Sequence, residues 1–270
     1  MQTRYSLSND RTVLGITVLA FFIPSLFYFG ILLPFRQSMS AVGITAGSVA
    51  VFSLLFVLSA WGLAKDRVHL DIGRKKVFLA ILLSIGGWAI YAGLQLAFSM
   101  DSLSNIGLTL GKLAAWPRVL GWVCTWLFTG FAEELLFRGY FLAKIKHILG
   151  QMGNKRPMMI AAVLANAIFA LWHIPNRAYQ VITGQLSLGM AILSLAVVFV
   201  MAAGFTYLYV RSQNILLVGM VHGLVDLPIV GDQNYASALI LIVIGLFEVL
   251  LLIDKRRQKV KSTQLSSISI

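Results

Sequence analysis

The stretch Phe131-Ala132-Glu133-Glu134-Leu135-Leu136-Phe137-Arg138-Gly139-Tyr140-Phe141-Leu142 decides the reading of this chain. It lies inside a run, Arg118 to Lys144, that otherwise has the composition of a membrane span. A charge near mid-bilayer costs roughly 2.5–3.5 kcal/mol on insertion scales, and this run holds Glu133, Glu134 and Arg138. Each apolar neighbour returns only about 0.3–0.6 kcal/mol. No structural requirement asks a spanning helix for two adjacent carboxylates, so the pair points to chemistry.

The rest of the chain supports the membrane setting. Of its 270 residues 59% are apolar, and the mean hydropathy is +0.84. Long apolar runs recur from end to end, which predicts an all-α, polytopic membrane helical bundle with about eight spans. Those spans are expected near 12–34, 41–64, 77–98, 118–145, 157–175, 188–210, 214–230 and 235–253. The seventh is short and contains Pro228, so its outer end is expected to kink or unwind. Three segments follow: 1–117 with spans one to three and a surface stretch at 99–117, 118–230 with spans four to seven, and 231–270 with span eight and a basic tail. The tail after Arg256 is Ser-rich and basic, and is expected to be disordered and drawn to anionic lipid.

The net charge of +12 does not signal nucleic acid, because the charge is sorted by loop. With the N-terminus in the cytoplasm, the inner loops hold Arg4, Arg11, Lys65, Arg67, Arg74, Lys75, Lys76, Lys144, Lys146, Lys155, Arg156, Arg211, Lys255, Arg256, Arg257, Lys259 and Lys261, 17 in all. The outer side holds 4: Arg36, Lys112, Arg118 and Arg177. That bias fits both termini in the cytoplasm of a multi-pass plasma-membrane protein. The first apolar run is longer than a signal-peptide core and has no A-x-A-like site after it. Cys124, the only cysteine, rules out an intrachain disulfide and reads as a small packing residue.

Few other ionisable groups fall within spans: His173, His222, Asp226 and Glu248. Glu248 lies close to the basic tail, and Lys255 or a neighbour is its expected partner. His222 and Asp226 share a helix face at i,i+4. Helical rise places Glu133 roughly 16 Å and His222 roughly 12 Å from the inner ends of their spans, and His173 roughly 24 Å, further out. Glu134 and Arg138, also i,i+4, can pair on one face, while Glu133 points about 100° away. One carboxylate is therefore structurally accounted for and the other is free to react.

These groups suit amide hydrolysis without a serine or cysteine nucleophile. Glu133 is the candidate general base for a water molecule, and His173 helps hold that water and passes a proton to the leaving amine. His222 donates to the oxyanion, with Asp226 orienting it or contributing itself. The sequence has no H-E-x-x-H, no G-x-S-G and no G-x-G-D; Ile229-Val230-Gly231-Asp232 lacks the first glycine. Glu133, His173 and His222 also form a His₂Glu set of the kind that holds catalytic Zn²⁺, so a metal stays an alternative to a cofactor-free site.

Glu133-Glu134-x-x-x-Arg138, Phe169-x-x-x-His173 and His222-x-x-x-Asp226, in that order on spans four, five and seven, resemble the three motifs of the CPBP family. That family includes the type II CAAX prenyl endopeptidases and bacterial proteins linked to bacteriocin self-immunity. The resemblance covers roughly 118–230. It implies Glu133 as base, Glu134 and Arg138 as its supporting pair, His173 as a second water-holding residue, and His222 with Asp226 on the oxyanion side. The last position is Asn in the prenyl-protein proteases and Asn or Asp in bacterial members, so Asp226 leans toward a bacterial member and away from a prenylated substrate.

The reading that results is an intramembrane endopeptidase acting on a membrane-embedded or lipid-anchored peptide or membrane protein. The alternative is a non-catalytic bacteriocin immunity or membrane scaffold protein that uses the same residues for binding. A proton-coupled transporter is disfavoured because no inverted repeat is visible. Gly219-x-x-x-Gly223 reads as a close helix approach within the chain, and the oligomeric state is not legible.

Overall fold

The structure is a computed structural model that describes residues 10–39, 41–66, 68, 70, 72–98, 129–226 and 236–268. The surface stretch 99–117, Arg118, Cys124 and Pro228 lie outside the described residues. Among those described, every regular element is helical. In chain order they are α1 (Asp10–Ser25), α2 (Ala41–Lys65), α3 (Arg74–Ala97), α4 (Gly130–Glu134), α5 (Leu142–Gln151), α6 (Pro157–Trp172), α7 (Ile174–Ile182), α8 (Leu188–Ser212), α9 (Ile215–Asp226) and α10 (Ala238–Ile268). A π-helical stretch, Leu26–Leu32, prolongs α1 toward Phe35, and a second, Leu135–Phe141, joins α4 to α5.

Among the described residues, five stretches are long and apolar enough to cross a bilayer: Thr12–Phe35, Ala46–Lys65, Arg74–Ala97, Pro157–Ile182 and Leu188–Ser212. Large apolar side chains such as Phe78, Leu188, Val200 and Leu241 cover the outward faces, as lipid contact requires. The protein is a multi-pass helical membrane bundle. Two expectations are corrected. The fifth apolar stretch runs on to Ile182 because α7 continues it past His173. The tail after Arg256 is helical to Ile268, since α10 carries its hydrogen-bond ladder straight out of the apolar region.

Apolar burial drives little helix association where lipid is the competing solvent, so close backbone approach and polar ties carry more of the specificity. The tightest approach is α4 on α9. A Cβ added to Gly130 would meet the Gly219 carbonyl oxygen at 2.5 Å and the Gly223 nitrogen at 2.7 Å. The small-residue pattern on α9 thus receives a glycine from α4. Because the obstacles are backbone atoms, Gly130→Ala must push the helices apart. We expect a loss of about 1–3 kcal/mol, read by thermal unfolding in detergent.

Polar ties fix the other helices. Trp172 Nε1 donates to the Ala20 carbonyl at 2.8 Å, joining α6 to α1. Thr206 Oγ1 donates to Asn166 Oδ1 at 2.7 Å between α8 and α6. Gln213 ends α8 in the left-handed region at φ 50°, and the chain turns directly into α9. There Asn214 Nδ2 donates to the Lys76 carbonyl at 2.8 Å, which pins the turn to α3.

Candidate active site

The site begins at Glu134, which is fully buried at the junction of α4 and the second π-helical stretch. Its Oε1 accepts from Arg138 Nη1 at 2.9 Å and interacts with His222 Nδ1 at 2.7 Å. Arg138, 1% exposed, sends Nη2 across to the Ala202 carbonyl on α8 at 3.0 Å. Its guanidinium also lies over the Phe169 ring, 4.6 Å from the centroid. One buried ion pair therefore ties α4, α8 and α9 together. The π-helical geometry around Arg138 was not expected; π turns inside α-helices often mark functional sites.

His222 is held on all sides. Phe205 stacks on its ring at 4.6 Å and 24°, and Phe169 meets it edge-on at 5.9 Å. The i,i+4 spacing pointed to Asp226 as the group orienting this ring. Instead Glu134 takes Nδ1, and Asp226 Oδ2 lies 3.5 Å from Nε2. The reason is geometric: α9 packs so close to α4 at the glycine contact that Glu134 reaches the ring first. Glu133 Oε2 faces the same Nε2 from 3.6 Å and makes no hydrogen bond among the described residues.

His173 stands at a break. Pro175 has no backbone N–H to give and its ring clashes with the carbonyl four residues earlier, so α6 ends at Trp172 and α7 starts afresh at Ile174. At that break His173 Nδ1 meets the Phe169 carbonyl at 2.9 Å. A carbonyl oxygen only accepts, so Nδ1 carries the hydrogen and, in the neutral ring, Nε2 presents its lone pair. The ring packs edge-on against Phe169 at 4.8 Å, and Phe169 in turn touches His222. The depth difference expected from helical rise does not separate the two histidines, because both flank this one phenylalanine.

Glu133, His173 and Asp226 line one cavity of about 550 Å³, together with Tyr28, Thr129, Trp172, Asn176 and Arg177. Asn176 and Arg177 were not singled out as site residues, although their place directly after His173 in a polar break was a usable signal. Tyr28 offered none; it is one aromatic among several in the first span. Glu248 is outside the cluster. Its carboxylate takes both Nε and Nη2 of Arg211 at 2.8 Å and the Tyr207 hydroxyl at 2.9 Å, so its hydrogen-bonded partner is Arg211. The two side chains lie close across α8 and α10, which helix counting alone could not show.

For the zinc alternative, His222 Nδ1 is engaged by Glu134 and His173 Nδ1 by a carbonyl, a pattern that leaves each Nε2 as the ring's free nitrogen, while no three His, Cys, Asp or Glu side chains among the described residues are arranged around a shared metal position.

Comparison with known proteins adds one finding. The family described as type II CAAX prenyl endopeptidase Rce1-like has a model that matches residues 114–228. No curated protein and no solved structure gives a match. The matched segment contains all six candidate residues.

Proposed function

For a membrane chain whose residues 114–228 carry an Rce1-like segment, we propose that the protein is an intramembrane endopeptidase that hydrolyses a peptide bond with a water activated by Glu133. The observation that supports this best is the division of labour in the glutamate pair. Glu134 is spent on Arg138 and His222, while Glu133 borders the cavity with a buried oxygen that accepts no hydrogen bond from a described residue.

In this reading Glu133 accepts a proton from water as the oxygen attacks the carbonyl carbon. His173, its Nε2 lone pair available, holds that water in place. His222, anchored through Nδ1, donates from Nε2 in its imidazolium form to the developing oxyanion, and Asp226 supports that charge from the same side. The C–N bond then breaks as the amine takes the proton collected from water, and the second proton of that water passes from the new carboxylic acid to the amine, leaving a carboxylate and an ammonium group. The water and the peptide account for every atom and proton, and no step is routed through a metal.

A lateral route supports a membrane-embedded or lipid-anchored substrate. A second cavity of about 510 Å³ lies between α8 and α10 and is walled by apolar side chains including Ala196, Val200, Ile240 and Leu241. Val197, Met201 and Ser237 belong to both cavities, so hydrocarbon can lie in one while the peptide bond lies in the other. Filling this groove with Val200→Trp is expected to raise KM for a lipid-anchored peptide on the order of tenfold, the scale of lost apolar pocket contacts. A lipid-free peptide of the same sequence, assayed in parallel, should change much less.

The cellular test is comparative membrane proteomics of cells carrying the wild type or Glu133→Gln. One or a few proteins should accumulate uncut in the variant; identical membrane proteomes would count against the assignment. Both termini on the cytoplasmic side of the plasma membrane, which the charge bias of the loops supports, complete the proposal, with a bacterial setting suggested by Asp226 at the last motif position.

A further inference from the structure

The hydrolytic groups occupy one wall of the cavity, and another part of it carries a cation. Arg177 lies four residues past His173, in the first turn of α7, and its backbone N–H donates to the His173 carbonyl at 3.1 Å. Its side chain lines the cavity that Glu133, His173 and Asp226 also line, with Asn176 and Tyr28 as further lining residues. Nη1 donates to Gln180 Oε1 at 2.9 Å. Nε is buried with no acceptor among the described residues.

The two fully buried cations among the described residues are matched by carboxylates, Arg138 by Glu134 and Lys144 by Asp66, as is the more exposed Arg211 by Glu248. Among the described residues Arg177 has no carboxylate within ion-pair distance, although it is half-buried in a membrane protein. A guanidinium withdrawn from water without a counter-ion is costly to keep. Its planar fork is suited to a carboxylate, which it can bind through two parallel hydrogen bonds. A peptide entering this cavity offers carboxylates of two origins: its C-terminus, or an Asp or Glu side chain.

We propose that Arg177 is a specificity-determining residue that binds a carboxylate of the peptide substrate and so sets which bond lies over Glu133. The inference rests on the endopeptidase reading and deepens it. Asn176 and Tyr28 supply neutral hydrogen-bonding groups in the same cavity. Register follows from dimensions. Arg177 is one helical turn from His173, roughly 6 Å along the axis, and an extended peptide advances about 3.4 Å per residue. With the reach of the arginine side chain included, the bound carboxylate lies roughly two to four residues from the scissile bond. A simpler role, balancing the charge of Glu133 and Asp226 across the cavity, would affect substrates with and without a carboxylate alike.

The test uses the full chain in liposomes and one lipid-anchored peptide, with a farnesyl or palmitoyl chain, in four forms. These are the free acid, the C-terminal amide, the amide with an internal Glu near the cut, and the same with Gln. Wild type should favour a carboxylate-bearing form over its neutral counterpart by about tenfold or more in kcat/KM, the scale of a charge-assisted bond. The acid/amide and Glu/Gln pairs tell the two origins apart. Arg177→Gln should collapse that ratio to near one through KM, and Arg177→Lys should keep part of it. A wild-type ratio near one, or a ratio that survives in Arg177→Gln, overturns the proposal. If Arg177→Gln fails to fold, the wild-type ratio and Arg177→Lys still decide. If wild type cuts none of the peptides, the hydrolytic reading fails separately. Equilibrium binding of the acid and amide forms to wild type and Arg177→Lys then decides the carboxylate site on its own; equal affinities overturn it.

Discussion

Glu133→Gln lowers kcat by roughly 10²–10⁴-fold, the usual contribution of a positioned general base, while the protein stays folded. Both halves of this expectation come from the same geometry. Glu133 Oε2 is 3.6 Å from His222 Nε2 and accepts no hydrogen bond from a described residue, so few contacts are lost when the carboxylate becomes an amide. Gln is nearly isosteric and keeps the helix contact between Gly130 and α9. What it cannot do is take a proton from water. Steady-state cleavage of a lipid-anchored peptide by protein of unchanged melting temperature reads the effect. A folded Glu133→Gln protein with full kcat would remove Glu133 from the role of base.

The opposite pattern is expected one residue on. Glu134 and Arg138 are 0% and 1% exposed, and each completes the other's charge. Removing one member of a buried pair leaves an uncompensated charge and costs about 3–5 kcal/mol. Arg138→Met should therefore unfold the protein or lower its melting temperature sharply. It also removes the tie from Arg138 Nη2 to the Ala202 carbonyl. Replacing both members, Glu134→Leu with Arg138→Met, should recover much of the stability, since apolar side chains of similar volume often substitute well for a buried pair. Activity should not return, because His222 has lost the partner of its Nδ1. Thermal denaturation of the two single variants and the double variant, with parallel peptide assays, checks this. Single variants as stable as wild type would mean that the pair does not hold α4, α8 and α9 together.

Much of the fold was legible because a bilayer imposes simple rules. Apolar runs long enough to span it were visible as spans, and Glu134 with Arg138 at i,i+4 was visible as a pair. The Gly219 and Gly223 spacing showed that something would approach closely, though not that Gly130 would be that partner. What spacing could not show was everything that depends on how helices meet. The i,i+4 relation made Asp226 the natural orienter of His222, yet Glu134 on a different helix takes Nδ1. Helical rise put His173 further out than His222 while still permitting one cluster, and a proline-induced break with the shared Phe169 ring brings them into one site. The π-helical stretch around Arg138 has no signature in the apolar pattern. Arg177 was counted only as one of a few outer charges, and its position on the cavity wall came from the course of α7.

The account depends on water, rather than a protein side chain, being the group that attacks the peptide carbonyl. A single-turnover reaction with enzyme in excess, run in H₂¹⁸O with hydroxylamine present, tests that most directly. The account predicts one ¹⁸O in the newly formed carboxylate of the product and no hydroxamate, because no acyl-enzyme exists for hydroxylamine to intercept. Hydroxamate formation in the wild type would show a covalent intermediate and contradict the assignment of Glu133 as the base that activates water.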